Sequence, residues 1–322
     1  MKKTMKALLL LALACCLAGC SFSVSGGFSY SDGGKYSVGS FAYEASQVDA
    51  VEINWNSGLV ELKETEGASL NVTEKEEKLR PEQRMRWLLD GRTLRIQFCQ
   101  SGYSGVLPDG KHLTMEIPKG IELKVNVTSG DVFLGTHTLK ALEAACTSGS
   151  VNTGDLSADS MLLAATSGSI TTGALRAHGA VKASCTSGSV SIENAMASSI
   201  TLSATSGNLT AGPLDAQETC SVECTSGKIR LEAVKAGSLK LKSTSGGMEA
   251  GVYQCGKVNV NATSGNVILS LLHGQGAAVE FKTVSGSLNG KDAGKKESIT
   301  LGDGSCPIEV DTTSGNLQIV EK

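Results

Sequence analysis

The sequence predicts an all-β fold: a right-handed parallel β-helix (β-solenoid) of about ten coils of 19–20 residues, preceded by an N-terminal β cap. Three observations lead there. Ser-Gly recurs at Ser129, Ser148, Ser167, Ser187, Ser206, Ser226, Ser245, Ser264, Ser285 and Ser314, in steps of 19, 19, 20, 19, 20, 19, 19, 21 and finally 29 residues. A group that does chemistry is needed once, whereas one repeated at a period near twenty is architecture. Both flanks of each Ser-Gly alternate apolar and polar residues, the period of a strand with one buried face. Finally, 38 glycines and an aromatic content of 4% suit a narrow core of small and branched side chains.

Residues 1–19 read as a signal peptide. Lys2, Lys3 and Lys6 precede an apolar run from Ala7 to Leu17, far shorter than the roughly 20 residues that cross a bilayer. The stretch "LAGC", residues 17–20, resembles a bacterial lipoprotein cleavage site. That resemblance implies a diacylglycerol on Cys20 and so a lipid-held membrane partner. Loss of the three lysines with the leader takes the formal net charge from −3 to −6, which gives no electrostatic case for nucleic acid. Residues 20–40, rich in Ser and Gly, read as the anchor and a flexible tether.

Residues 41–120 read as the cap. "VDAVEINWNSGLVEL" holds one repeat-like turn at Ser57-Gly58, and "RMRWLLDGRTLRIQF" reads as a β-hairpin turned by Asp90-Gly91. "KHLTMEIPKGIELKVNV" leads onward, and both tryptophans of the chain fall in this region, suited to covering an open first coil. The solenoid is expected over 121–322. Two residues before each turn serine runs an inward column: Val127, Cys146, Ala165, Cys185, Ala204, Cys224, Ser243, Ala262, Thr283 and Thr312. Three residues after it runs another, with Val151, Ile170, Val190, Leu209, Ile229, Met248 and Val267. The glycine at the corner supplies the positive φ other residues resist. The final 29-residue step implies a loop around 291–296, and "CPIEVDTTSGNLQIVEK" is expected to end the stack, with Pro307 blunting the edge.

Cysteines in one column recur every second coil, about 9.6 Å apart at the strand spacing, beyond the roughly 7 Å a disulfide tolerates. Free thiols are therefore expected. Cys99 and Cys306 lie outside the core columns.

No catalytic group emerges. His112, His137, His178 and His273 have no metal-ligand spacing and read as surface residues; "CSVEC" (220–224) is not a CxxC pair. Phosphate loops, nucleophile elbows and zinc-protease signatures are absent. A carbohydrate-active β-helix enzyme would need clustered carboxylates on one face. Here Glu193, Lys228, Arg230 and Glu249 are scattered, and Tyr253 is the only aromatic from Leu134 to Glu280. The single rank of threonines beside the turn lacks the paired ranks of ice-binding faces. The expectation is a non-enzyme without cofactor, cofactor-binding residues or metal.

The leader, the "VEINWNSGLVEL" opening, the "RMRWLLDGRTLRI…LTMEIPKG" middle and the repeated TSG turns together resemble the bacterial putative-adhesin domain family, in lipoprotein form, over about residues 41–322. The resemblance implies surface adhesion and carries over no catalytic residue. It leaves two roles open: an adhesin-like module binding an extracellular glycan, cell-wall polymer or envelope protein, and an envelope-stress accessory protein acting with a membrane sensor. Either places the chain on the extracytoplasmic face of the cell membrane. Side chains two and four residues after the turn serine must point outward. Ser150, Asn152, Ser169, Thr171, Ser189, Ser191, Asn208 and Thr210 therefore form a neutral strip, the candidate binding face.

Overall fold

Strict apolar–polar alternation fits strands, and among the described residues every regular element is a β-strand or a three-residue 3-10 turn. The computed structural model describes residues 28–75, 78–106 and 110–322. The chain divides into two compact units, residues 1–149 and 150–322.

In the first unit Ala50–Thr65 and Glu122–Leu134 stack in parallel with Ser57 against Ser129, so the repeat at Ser57-Gly58 skips over the chain between them. Ala141–Ser148 follows on Glu122–Leu134, with Ser148 against Ser129 and Cys146 against Val127. On its other edge Ala50–Thr65 is paired in parallel by Thr93–Gln97 and His112–Pro118. From there the sheet turns antiparallel. Arg86–Asp90 forms the predicted hairpin with Thr93–Gln97, and Ser69–Lys75 runs against His112–Pro118.

This unit holds the bulky core. Trp55 is 2% exposed and meets Phe98 edge-on at 5.0 Å, while Trp87 stacks on Phe41 at 4.0 Å. Residues 28–40 depart from the tether reading. Phe28 is buried, Tyr30 hydroxyl donates to the Cys99 carbonyl at 2.9 Å, and Ser37–Val38 pairs with Arg86–Asp90. Three aromatics among the serines and glycines (Phe28, Tyr30 and Tyr36) supply the contacts that a composition average hides. The tether and cap boundaries expected at residue 40 therefore do not match the packing of this segment.

Beneath that core lies a charge. Lys111 is fully buried, 2.6 Å from Glu74 Oε1, and donates to the carbonyls of Gln83 (2.8 Å) and Phe98. Its ammonium sits 4.8 Å from the Trp55 ring centroid and 4.1 Å from that of Phe98. Glu74 Oε1 also accepts the Met85 N–H at 2.8 Å. The pair, its hydrogen bonds and two aromatic faces together replace the water both ions gave up.

In the second unit the stack is nearly all parallel and in register. Read through space, the column before the turn runs Ala165, Cys185, Ala204, Cys224, Ser243, Ala262, Thr312, Thr283. Its polar atoms are satisfied where they lie. Cys185 and Cys224 thiols donate to the carbonyls of Gly168 (2.8 Å) and Gly207 (3.2 Å), and Thr312 donates to Thr283 at 2.9 Å. The corner glycine is held by crowding as much as by φ: at Gly188 φ is +147°, and a Cβ would lie 2.0 Å from the Gly168 carbonyl oxygen.

The order of that column overturns the expected ending. Cys306–Ser314 lies between Val258–Ser264 and Ala277–Ser285, so the last repeat is inserted into the stack. Residues 291–296 are more than a loop. Lys291–Asp292 and Lys296–Leu301 pair antiparallel with Ser287–Leu288 and Ala277–Ser285, on the flank away from Cys306–Ser314. Alternation could not reveal this, because every Ser-Gly repeat offers the same face to any other. Pro307 is therefore not an edge residue; it sits opposite Ala278.

Candidate binding surface

The strands leaving the turns carry the expected strip. Register aligns Asn152, Thr171, Ser191 and Thr210 as direct neighbours, followed by Arg230 and Glu249. Thr171, Ser191 and Thr210 are exposed and Asn152 half-buried. This rank projects hydroxyls and amides at about 4.8 Å intervals.

The neighbouring rank is used differently. Ser169 N–H donates to Ser150 Oγ (3.3 Å), Ser189 N–H to Ser169 Oγ (3.2 Å), Asn208 N–H to Ser189 Oγ (3.3 Å) and Lys228 N–H to Asn208 Oδ1 (2.9 Å). At the corner the backbone turns away from the ladder, and each of these side chains accepts an amide that the strands leave over. Half of the candidate face, Ser150, Ser169, Ser189 and Asn208, thus has a structural task that position alone did not disclose. The column was visible in the sequence; its hydrogen-bond direction was not.

Two shallow grooves flank these ranks within the second unit. One, about 340 Å3, is lined by Thr210, Arg230, Glu232, Glu249 and Ser270 among others. Arg230 holds Glu249 at 2.8 Å, which commits that carboxylate to an ion pair. The other, about 500 Å3, is lined by Asn266, Ser287, Asn289, Asn316 and Gln318, and by Ile268 and Ile319.

No group of three or more potential metal ligands occurs among the described residues. The histidines differ from the sequence reading at one place: His137 is 1% exposed and its Nε2 lies 3.1 Å from the Leu62 carbonyl, so it is a core residue. Burial lowers its pKa and keeps it neutral. His178 is exposed beside Asp159, and His273 packs edge-on against Tyr253. All seven cysteines of the described residues are free and buried, Cys99 and Cys306 included. Burial pushes Cys220 and Cys255 up to about 12, and Cys146 and Cys306 up to about 11. Burial and the raised pKa disfavour the thiolate at each of these four positions. Cys20 and the leader lie outside the described residues, and no helix among those described is long and apolar enough to cross a membrane.

Parallel in-register stacking, Ser-Gly corners and a small-residue core define a β-solenoid of repeats. The family model Toastrack DUF4097 matches residues 48–253 and 175–320, and the chain belongs to that family. Three solved structures match along most of the chain. A "putative adhesin" from Parabacteroides distasonis is 13% identical with a TM-score of 0.42, covering 88% of this chain and 97% of that one. Another "putative adhesin", from Bacteroides fragilis, is 11% identical with a TM-score of 0.32 over 88% and 97% of the two chains. A "putative cell adhesion protein" from Clostridium sporogenes is 10% identical with a TM-score of 0.19 over 89% and 100%. No curated protein matches the chain.

Proposed function

We propose that the protein is a non-catalytic, lipid-anchored module of the bacterial cell surface whose solenoid binds an extracellular or cell-wall polymer. The observation that carries this reading is the in-register rank Asn152, Thr171, Ser191 and Thr210. A polymer with repeating polar groups can meet such a rank at several points along its length, and multiple weak contacts add through effective concentration. The "LAGC" stretch supports the anchor: lipid on Cys20 would hold the folded chain outside the membrane. In this reading residues 1–19 are the leader, the first repeats are closed by an N-terminal β cap, and the solenoid is a right-handed helix of about ten coils, the hand favoured for parallel crossovers.

Two measurements test it. The Cys20→Ala variant should lose lipidation and leave the membrane fraction; unchanged fractionation removes the anchor. Thr171→Lys, Ser191→Lys and Thr210→Lys together spare the side-chain ladder and should abolish attachment of the full chain to purified wall polymer. Attachment unchanged, with circular dichroism intact, rules this rank out. Capture of a membrane protein in place of polymer would favour the stress-accessory role.

A further inference from the structure

We infer a second binding site in the 500 Å3 groove of the second unit, and from its chemistry that it takes acetamido groups, as on an N-acetylated glycan. Its volume falls in the range of small-ligand clefts, roughly 300–1,000 Å3. The inference stands on how three amides are oriented. Asn266 Oδ1 accepts the Asn316 N–H at 3.3 Å, Asn316 Oδ1 accepts the Ser287 N–H at 2.9 Å, and Asn289 Oδ1 accepts the Ile319 N–H at 2.8 Å. Ser287 Oγ also donates to Asn316 Oδ1 at 2.9 Å. A backbone N–H can only be met by the oxygen of an amide, so these contacts decide which way each side chain faces.

The consequence is one-sided. Each of the three Oδ1 atoms is engaged by the fold, that of Asn316 twice, and every Nδ2 is left over with two hydrogens to give. Among the described residues nothing accepts from them. All three asparagines are exposed at the groove. Asn289 is held in place by a left-handed backbone, φ +48°, a conformation asparagine accepts more readily than most residues.

Donors without charge select the partner. No Lys or Arg lines the groove, so a full anion would find no counter-charge there, and the formal net charge of −3 adds no attraction. A hydroxyl can also accept from these amides, but a plain hydroxylated sugar brings no methyl for the apolar side chains of the groove. The half-buried Ile268 and Ile319 also line the groove and offer it an apolar contact. An acetamido group presents a neutral carbonyl oxygen and a methyl side by side, which answers both demands.

The test uses the purified full-length protein and the tetramer of β-1,4-linked N-acetylglucosamine, with the de-N-acetylated tetramer as control, read by calorimetric titration. The acetylated tetramer should bind and the control should bind at least tenfold more weakly. Combined Asn266→Asp, Asn289→Asp and Asn316→Asp keeps each Oδ1 that the backbone needs and removes the three Nδ2 donors. It should retain the melting transition and lose acetamido binding at least tenfold. Asn259→Asp with Asn261→Asp, on a strand outside the groove, should leave binding unchanged. No binding of the acetylated tetramer, equal binding of both tetramers, or full binding by the triple variant overturns the assignment. The Thr171, Ser191 and Thr210 lysine variant keeps this groove, so wall attachment lost there with tetramer binding kept separates this site from the proposed polymer-binding rank.

Discussion

The two units solve the same problem, closing a stack of parallel strands, with opposite cores. The first packs large aromatics around a buried ion pair; the second fills a narrow column with Ala, Cys, Ser and Thr, and Phe281 is its one buried aromatic among the described residues. The first turns antiparallel within a few strands, whereas the second repeats one register for most of its length. Small side chains are confined to the column before the turn; the column after it stacks Ile170, Val190, Leu209, Ile229 and Met248 in the same register, each on its counterpart about 4.8 Å away. In the first unit Trp55 lies on Val127 in the parallel stack, and Trp87 lies on the antiparallel hairpin. The polar atoms follow the same division: many short contacts within one column against a single dense network.

That contrast can be broken most severely at Glu74. Glu74→Ala strands the Lys111 ammonium in the core, and should cost about 3–5 kcal/mol. Trp55 and Trp87 both belong to the first unit, so their fluorescence in a denaturant titration reads the loss there. An unshifted fluorescence midpoint would mean the ion pair carries no weight. In the second unit the harshest single change is Gly188→Val, whose side chain meets the Gly168 carbonyl and an unfavourable φ; about 3 kcal/mol or more should be lost. Hydrogen exchange should accelerate in the second unit, and exchange left as slow as before would show that the corner relaxes freely.

Alkaline pH sharpens the comparison further. Below the ordinary thiol pKa of about 8.5 both folded and unfolded chains keep their protons, and the thiols contribute no slope. Between that value and the folded values of about 11 to 12, the unfolded chain alone has ionised at Cys146, Cys220, Cys255 and Cys306. Stability should therefore fall as pH rises through this window, by up to about 1.4 kcal/mol per pH unit for each thiol. Three of the four lie in the second unit, so their replacement by Ala should flatten the slope of its exchange-measured stability; a slope that persists would assign it to other groups. The gentlest change is Cys185→Ala, which gives up one thiol–carbonyl contact in a column that already alternates with Ala. It should cost no more than about 1 kcal/mol by thermal melting, since Ala165 and Ala204 occupy the equivalent places. A larger loss would mean that the thiol, not the column, holds the corner.

Much of this was legible from residues alone, and the reasons are local. Val125, Val127, Leu202, Ala204 and their equivalents reveal strands through period two, and Asp90-Gly91 reveals a hairpin through its turn chemistry. The buried pair also left a trace. Lys111 stands in the inward phase of Leu113, Met115 and Ile117, and Glu74 in that of Leu70 and Val72. Two opposite charges on inward phases of separate strands are a signal for a buried bridge. The groove amides left less. Asn266 and Asn316 share the column of Ser150 and Asn208, but only the insertion of 306–321 beside Asn266 makes them neighbours. Periodicity names which residues share a face; it does not name which repeats touch.

That insertion also bears on how the chain is made. Residues 277–301 leave the ribosome before 306–321, yet they belong on the far side of it. The edge at Val258–Ser264 must stay unoccupied until the later segment arrives, or be filled by the wrong repeat and then vacated. For that interval the nascent chain exposes an unpaired strand edge that a second copy could extend, so the price of burying its own final repeat is a brief exposure to templated aggregation during synthesis.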